Sequence, residues 1–254
     1  MVTIKTRSEV ELMAEAGQRL ARILHTLARE VRAGMRTKEL DTIAHDLILA
    51  GGDVPAFLGY VPGGTAKPFP AALCVSVNDT VVHGVPGDYV LRDGDLVKLD
   101  LGLVHKGFYS DAAVTVGVGN VSEEGTRLIK ATEEALRRGI MKAIPGNTVG
   151  DVGHAVEECV WNEGFSVVRS LAGHGIGRAL HENPMVFNFG KPGEGEALRA
   201  GMVIAIEPMV ATGNGKTKQA KDDSFMIADG SISAHFEHTV AITENGPRIL
   251  TVIE

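Results

Sequence analysis

Apolar residues recur at helical spacing from the start of the chain. Leu12, Met13, Ala16, Leu20, Ile23, Leu24, Leu27 and Val31 follow one another at three- and four-residue steps, and Ser8 with Glu11 has the spacing of a capping box. The pattern predicts a long amphipathic helix ending near Gly34. A second helix is predicted from about Thr37, with Leu40, Ile43, Ala44, Leu47 and Ile48 on its buried face and a stop at Gly51-Gly52. Residues 59–70 are rich in Gly and Pro, and beyond them the period changes. Short apolar runs bounded by turn residues, at 71–77, 96–104 and 108–118, read as strands.

The helical period then returns over Ser122 to Ala143, breaks at Pro145-Gly146 and resumes over Thr148 to Trp161. A shift of 112 residues lays Gly34 on Gly146, Leu40 on Val152, Ala44 on Val156, Leu47 on Cys159, Ile48 on Val160 and Gly52 on Gly164. This is the trace of an internal duplication of a helix–turn–helix–strands unit. Strand-like runs follow at 165–171, 202–211, 223–228 and 234–243. The expected architecture is therefore α+β, with two pseudo-symmetric halves of roughly residues 1–120 and 121–254 around one central antiparallel sheet. No stretch has linker composition, so residues 1–254 are expected to form a single domain.

Composition narrows the partners. The chain has 44% hydrophobic and 22% charged residues and a net charge of −7, which describes a globular protein with a sizeable core. An acidic balance without a Lys/Arg block argues against a nucleic-acid footprint or a polybasic membrane surface. No apolar run approaches a membrane span, and the start turns charged at Lys5, Arg7 and Glu9, so a cytoplasmic location is expected. Two cysteines, Cys74 and Cys159, suit a reducing compartment and cannot supply a four-cysteine zinc site.

Several polar residues do not belong in apolar strands. With a turn at His105-Lys106, Asp100 and Asp111 fall directly opposite each other on a hairpin. Like charges so placed repel, and a bound cation would relieve them. A different register with both carboxylates solvated would also fit this pair alone. Glu207 ends the run Gly201 to Ile206 directly before Pro208, and Glu237 interrupts the run Ser233 to Ile242. Four acidic residues in four apolar strands are harder to dismiss.

His174 stands in Gly173-His174-Gly175-Ile176-Gly177, His181 opens His181-Glu182-Asn183-Pro184, and His83 precedes Gly84-Val85-Pro86. Taken singly, each is more often a satisfied structural histidine than a ligand. His25, His45, His105, His154 and His235 carry no motif and read as structural, and His238 is expected on the strand face opposite Glu237. The glycines around His174 lack the setting of a dinucleotide fingerprint, Gly215-Lys216-Thr217 lacks the upstream glycine of a phosphate loop, and no Gly-x-Ser-x-Gly elbow occurs.

The ordered set Asp100, Asp111, His174, Glu207 and Glu237 comes with Asn78-Asp79-x3-His83-Gly84, Ile206-Glu207-Pro208 and Phe236-Glu237-His238-Thr239. It closely resembles the methionine aminopeptidase family over almost the whole chain. The resemblance implies the pita-bread fold and a centre of two divalent metal ions. Oxygen-rich ligation with one imidazole suits Co, Mn, Fe or Zn without choosing among them. It makes Asp100 a ligand of one ion, Asp111 and Glu237 bridging carboxylates, and His174 and Glu207 ligands of the other. A hydroxide between the metals would attack the carbonyl after the first residue. Glu207 is similar in position to the family's proton shuttle, His181 to the histidine that polarises the carbonyl oxygen, and His83 to the one near the leaving amine.

Tyr60, Phe69 and Cys74 fall where the family lines its methionine pocket, with Phe57 a candidate fourth. Two departures stand out. The stretch Gly63 to Pro68 is longer than the family's usual loop, and the segment that usually carries a Trp reads Asp222-Asp223-Ser224-Phe225-Met226, which leaves the place of Phe225 open. Glu207 follows His181 by only 26 positions, too few for the helical insertion of the family's second type. The first helix begins within ten residues of Met1, with no zinc-finger or ribosome-docking extension ahead of it. The short type I form is implied. Peptides and nascent chains beginning with methionine and a small second residue are the implied substrates, a monomer is expected, and a transient ribosome contact stays open. The nearest rivals are a proline-directed peptidase of the same fold, which would carry a large N-terminal domain and usually an Arg near the last glutamate, and a binding module that has lost its metals. All five ligand positions are filled here, which disfavours the second.

Overall fold

A computed structural model describes residues 2–61 and 67–253. The chain runs α1 (Arg7–Glu30), α2 (Thr37–Ala50), β1 (Val54–Pro55), β2 (Leu73–Val77), β3 (Thr80–Val82), β4 (Leu96–His105) and β5 (Phe108–Gly117). It continues with α3 (Glu123–Lys142), α4 (Val149–Asn162), β6 (Ser166–Val167), β7 (Ala172–Gly175), β8 (Glu182–Phe187), β9 (Val203–Ile206) and β10 (Met209–Ala211). It closes with β11 (Thr217–Gln219), β12 (Phe225–Ile227), β13 (Ser233–His235), β14 (Glu237–Thr243) and β15 (Gly246–Ile249). The large antiparallel sheet has the order β1-β4-β5-β14-β9-β7-β8, with β2 on β4 and β15 on β14.

The four helices form as the periodicity predicts, with one shift. The capping box of α1 is Thr6 with Glu9, two residues before the expected Ser8 and Glu11, because Thr6 takes the extended backbone that lets Glu9 reach its N–H at 2.7 Å. The helix ends at Glu30, and Gly34 sits in the following turn. Leu20, Leu24, Leu27, Leu40 and Ile48 of α1 and α2 pack on Leu73, Leu99 and Leu101 of β2 and β4. In the second half Leu136, Ile140, Val149 and Val152 of α3 and α4 meet Ile204, Ile206, Val240 and Ile242. Each helix pair covers the outer face of its part of the sheet, which is the arrangement the 112-residue repeat implied.

Three expected strands are broken or shortened. The run 202–211 divides at Glu207-Pro208, where proline cannot donate to a ladder, and Asn188 Nδ2 donates to the freed Glu207 carbonyl at 2.9 Å. The run 234–243 divides at Phe236, and 165–171 keeps only Ser166–Val167 as strand. β8 was not expected, since its polar start and Pro184 hide an alternating pattern. Lys98 is a further surprise. It is the largest fully buried side chain, 1% exposed, and its Nζ donates to the Asn78 carbonyl at 2.7 Å, anchoring the turn that leads into β3 and His83. Burial holds this ammonium down to a pKa of about 7.

Candidate metal centre

Five neighbouring strands of the sheet each bring one candidate ligand to a common face. In spatial order they are Asp100 on β4, Asp111 on β5, Glu237 at the start of β14, Glu207 just past the end of β9, and His174 on β7. The β4–β5 register differs from the one expected. Asp100 pairs with Ala113 and Asp111 with Gly102, so the turn is Lys106-Gly107 and the two aspartates are diagonal neighbours, not direct partners. Lys106 and Gly107 both adopt positive φ, which suits a two-residue hairpin turn. The correction leaves both carboxyls on one face, because a slip of both strands by one pair preserves parity. Glu237 pairs with Ala113, two residues from Asp111 on that same face.

The strands diverge around this cluster, and two threonines bridge the gaps. Only Glu237 and His238 pair with β5 in register. On one side the Thr239 hydroxyl donates to the Asp111 carbonyl at 2.7 Å and accepts from its N–H at 3.1 Å. On the other, the Thr115 hydroxyl donates to the His235 carbonyl at 2.7 Å and accepts from its N–H at 2.9 Å. Each hydroxyl thus satisfies a backbone pair that the ladder abandons.

The cluster is buried, and its charges are unbalanced. Asp100 Oδ1, Asp111 Oδ1 and Glu237 Oε1 have no hydrogen-bond partner among the described residues. Burial first, and then the neighbouring carboxylates, push Asp111 and Glu237 well above the usual carboxylate range. Burial raises Asp100 and Glu207 to about 7. His174 is neutral, held at about 4 by burial. Its Nδ1 donates to the Gly175 carbonyl at 2.9 Å, which fixes the tautomer and leaves the Nε2 lone pair facing Glu207 Oε1 at 3.7 Å and Asp111 Oδ2 at 4.0 Å. Orphaned carboxylate oxygens beside an imidazole lone pair fit divalent cations.

A model of metallopeptidase family M24 matches residues 11–244. The chain belongs to metallopeptidase family M24. Methionine aminopeptidase of Clostridium perfringens is 49% identical over the full length of both chains, and methionine aminopeptidase 1 of Bacillus subtilis is 43% identical over 99% of each. The crystal structure of methionine aminopeptidase from Rickettsia prowazekii has a TM-score of 0.95 at 35% identity, covering 99% of this chain and 100% of that one. The prolidase from Pyrococcus furiosus has a TM-score of 0.77 at 26% identity, and here the match spans 66% of the longer chain. The fold of this M24 chain is the pita-bread fold, as the sequence led one to expect.

The other residues singled out in the sequence are placed as follows. His181 lies edge-on to His174, with ring centroids 4.3 Å apart, and its Nδ1 is 2.5 Å from the Tyr60 hydroxyl. Cys74 pairs with Asp100 across β2 and β4. Phe57 meets Phe69 edge to face at 6.5 Å and covers Gly102, where a Cβ would approach within 2.6 Å of the Phe57 ring. His83 follows β3 with φ of +58°, and its ring centroid lies 5.7 Å from that of Phe225. The stretch from Gly63 lies mostly outside the described residues. His238 turns to the other face and contacts Thr251, as expected.

His235 was given no role and belongs here. It is 1% exposed, its Nε2 is 3.5 Å from Glu207 Oε2, and neither ring nitrogen has a hydrogen-bond partner among the described residues. The signal was present, since two residues before Glu237 in a strand means the same face. Two trios of ligand atoms lie within 4.8 Å of one another, Asp111/His174/Glu237 and Glu207/His235/Glu237, and Glu237 is common to both.

Two outcomes are expected. The four carboxyls have folded pKa values above their unfolded ones, so their contribution to stability is complete below about pH 4 and falls as pH rises, through about 7 for Asp100 and Glu207, with Asp111 and Glu237 also shifted upward. Chelator-stripped protein should therefore melt at progressively lower temperature from pH 5.5 to pH 8, and the gain on adding Mn²⁺ should widen over the same range. A gain independent of pH would contradict the cluster as a cation site. Asp111→Asn should bind divalent ions at least about 10-fold more weakly and lose nearly all turnover. Near-normal metal titration and activity would count against the site.

Proposed function

We propose that this peptidase removes the N-terminal methionine from peptides and nascent chains whose second residue is small, using two divalent ions on the five-ligand floor. The observation that supports it best is the strand-by-strand delivery of Asp100, Asp111, Glu237, Glu207 and His174 beside an aromatic and thiol recess. Asp100 would serve one ion, His174 and Glu207 the other, and Asp111 and Glu237 would be shared between them. That Glu237 belongs to both trios of ligand atoms supports the bridging role, although Asp100 belongs to neither trio. Bound there, the ions would supply Lewis acidity and a water acidified into nucleophilic range. The donor set accepts Co, Mn, Fe or Zn alike.

The protein's own groups do the rest. Phe57, Phe69, Tyr60 and Cys74 offer an apolar, sulfur-bearing recess for a thioether side chain, where sulfur–aromatic contacts are worth about 1 kcal/mol. Burial and the nearby Asp100 raise the Cys74 thiol well above its ordinary range, so it stays protonated and packs as a small apolar group. Burial also raises the Tyr60 hydroxyl, which keeps its proton and, in the tautomer this reading takes, donates it to His181 Nδ1. His181 is itself neutral, lowered to about 4 by burial. A neutral ring that accepts at Nδ1 carries its proton on Nε2, so His181 presents one N–H donor to the carbonyl oxygen of the scissile bond. His83, likewise neutral at about 4 through burial, stands near the departing amine. Glu207, held as a carboxylate beside a bound ion, can take a proton from the attacking water and return it to the amine.

If His181 donates to an oxygen that gains charge in the transition state, His181→Ala should lower kcat by roughly 10²–10³ while KM changes little. Metal content is the control, because loss of an ion would make His181 a ligand instead. Cleavage rates on Met-Ala and Met-Leu peptides test the size limit. The small second residue should win mainly through kcat/KM, and equal rates would refute the preference.

A further inference from the structure

We propose that Lys5 and Glu182 form a latch that positions His181, making the arm ahead of α1 part of the machinery that orients the substrate carbonyl. The inference deepens the reading of His181 given above and rests on it. Glu182 directly follows His181. Its carboxylate accepts from Lys5 Nζ at 2.7 Å and from the Thr3 hydroxyl, and also from the backbone N–H groups of Arg178 at 2.8 Å and Ala179 at 3.3 Å. One carboxylate thus closes the loop 178–182 on itself and ties it to the arm. The ion pair is sheltered, with side-chain exposures of 5% for Lys5 and 11% for Glu182. These contacts hold the Glu182 carboxyl below its ordinary range despite burial.

The arm is seated, not draped. Lys5 N donates to the Gly201 carbonyl at 2.7 Å. Two glycines clear its path: a Cβ on Gly201 would lie 2.6 Å from Ile4 Cγ2, and one on Gly177 would lie 2.4 Å from Lys5 Cε. Thr3 and Glu182 share a cavity of about 550 Å³ with His174, His181 and Met185, so the arm forms a wall of the space that His181 faces. His181 has few restraints of its own. Its side chain touches Tyr60 and His174, both of which must also meet substrate or metal. The backbone placement imposed through Glu182 therefore decides where its Nε2 points, and an ångström of misplacement is costly in catalysis.

Lys5→Met keeps the length of the stem and removes the charge. The Mn²⁺-loaded full chain, assayed on a Met-Ala peptide, should lose between about 10- and 100-fold in kcat with KM within about twofold, and Lys5→Arg should recover most of the loss. Metal content should not change, and the His181 ring signals in a nitrogen-correlated NMR spectrum should shift in Lys5→Met alone. The deciding comparison is made in His181→Ala, where adding Lys5→Met should cost less than about twofold more. An equal loss in both backgrounds, or unchanged kcat in Lys5→Met, would overturn the latch. Full activity in His181→Ala itself would overturn the role of His181 instead, and the two failures are thereby distinguishable.

Discussion

Four carboxylates that repel one another at the centre of a sheet set the terms for the rest of this structure. No single strand could carry them, since successive side chains alternate between faces and neighbours on one face are close. The fold distributes them one to a strand across β4, β5, β14 and β9, with the imidazole of His174 arriving from β7. The helices contribute no ligand. Their task is to bury the other face deeply enough that the sheet tolerates charge on this one, and two helix pairs from the duplicated half do so.

Bringing the ligands together requires breaking the sheet where it is most needed. β9 gives way at Glu207-Pro208, and the strand that should run through Glu237 is interrupted at Phe236. Each break frees backbone groups inside a dry region, where an unpaired donor or acceptor costs about 1–3 kcal/mol. Asn188 takes up the Glu207 carbonyl, and Thr115 and Thr239 bracket the β5–β14 pairing from its two sides. These hydroxyls keep the two central strands at a fixed separation while their ladder is reduced to two residue pairs. They are as much a part of the site's geometry as the ligands.

The strongly periodic parts of the chain were legible as sequence. The four helices, the β4–β5 hairpin, the repeat and the five candidate ligand positions could be read because period and motif speak for themselves. Less legible was whatever depends on a single residue of register or on a distant partner. The hairpin turn moved by one residue, which turned two facing aspartates into diagonal ones without moving either off the site face. β8 hid behind a proline, and Lys98 gave no local sign that the Asn78 carbonyl, brought close by the β2–β3 turn, would receive its ammonium. His235 is different, because strand parity with Glu237 carried the information and the absence of a flanking motif obscured it.

The site therefore has a rigid floor and an adjustable rim. Ligands on strands are fixed by ladders extending far beyond the centre, so their positions follow from the fold as a whole. His83, His181 and Tyr60 instead come from irregular segments, each steadied by a few identifiable contacts: Phe225 against His83, Tyr60 against His181, and Glu182 with the arm behind it. Such segments can move without unfolding the core. Desolvation lowers His83 and His181 to about 4, as it does His174 on the floor, so the rim presents lone pairs and N–H donors rather than charge. A cationic rim would compete with divalent ions for the same carboxylates, and a neutral one does not.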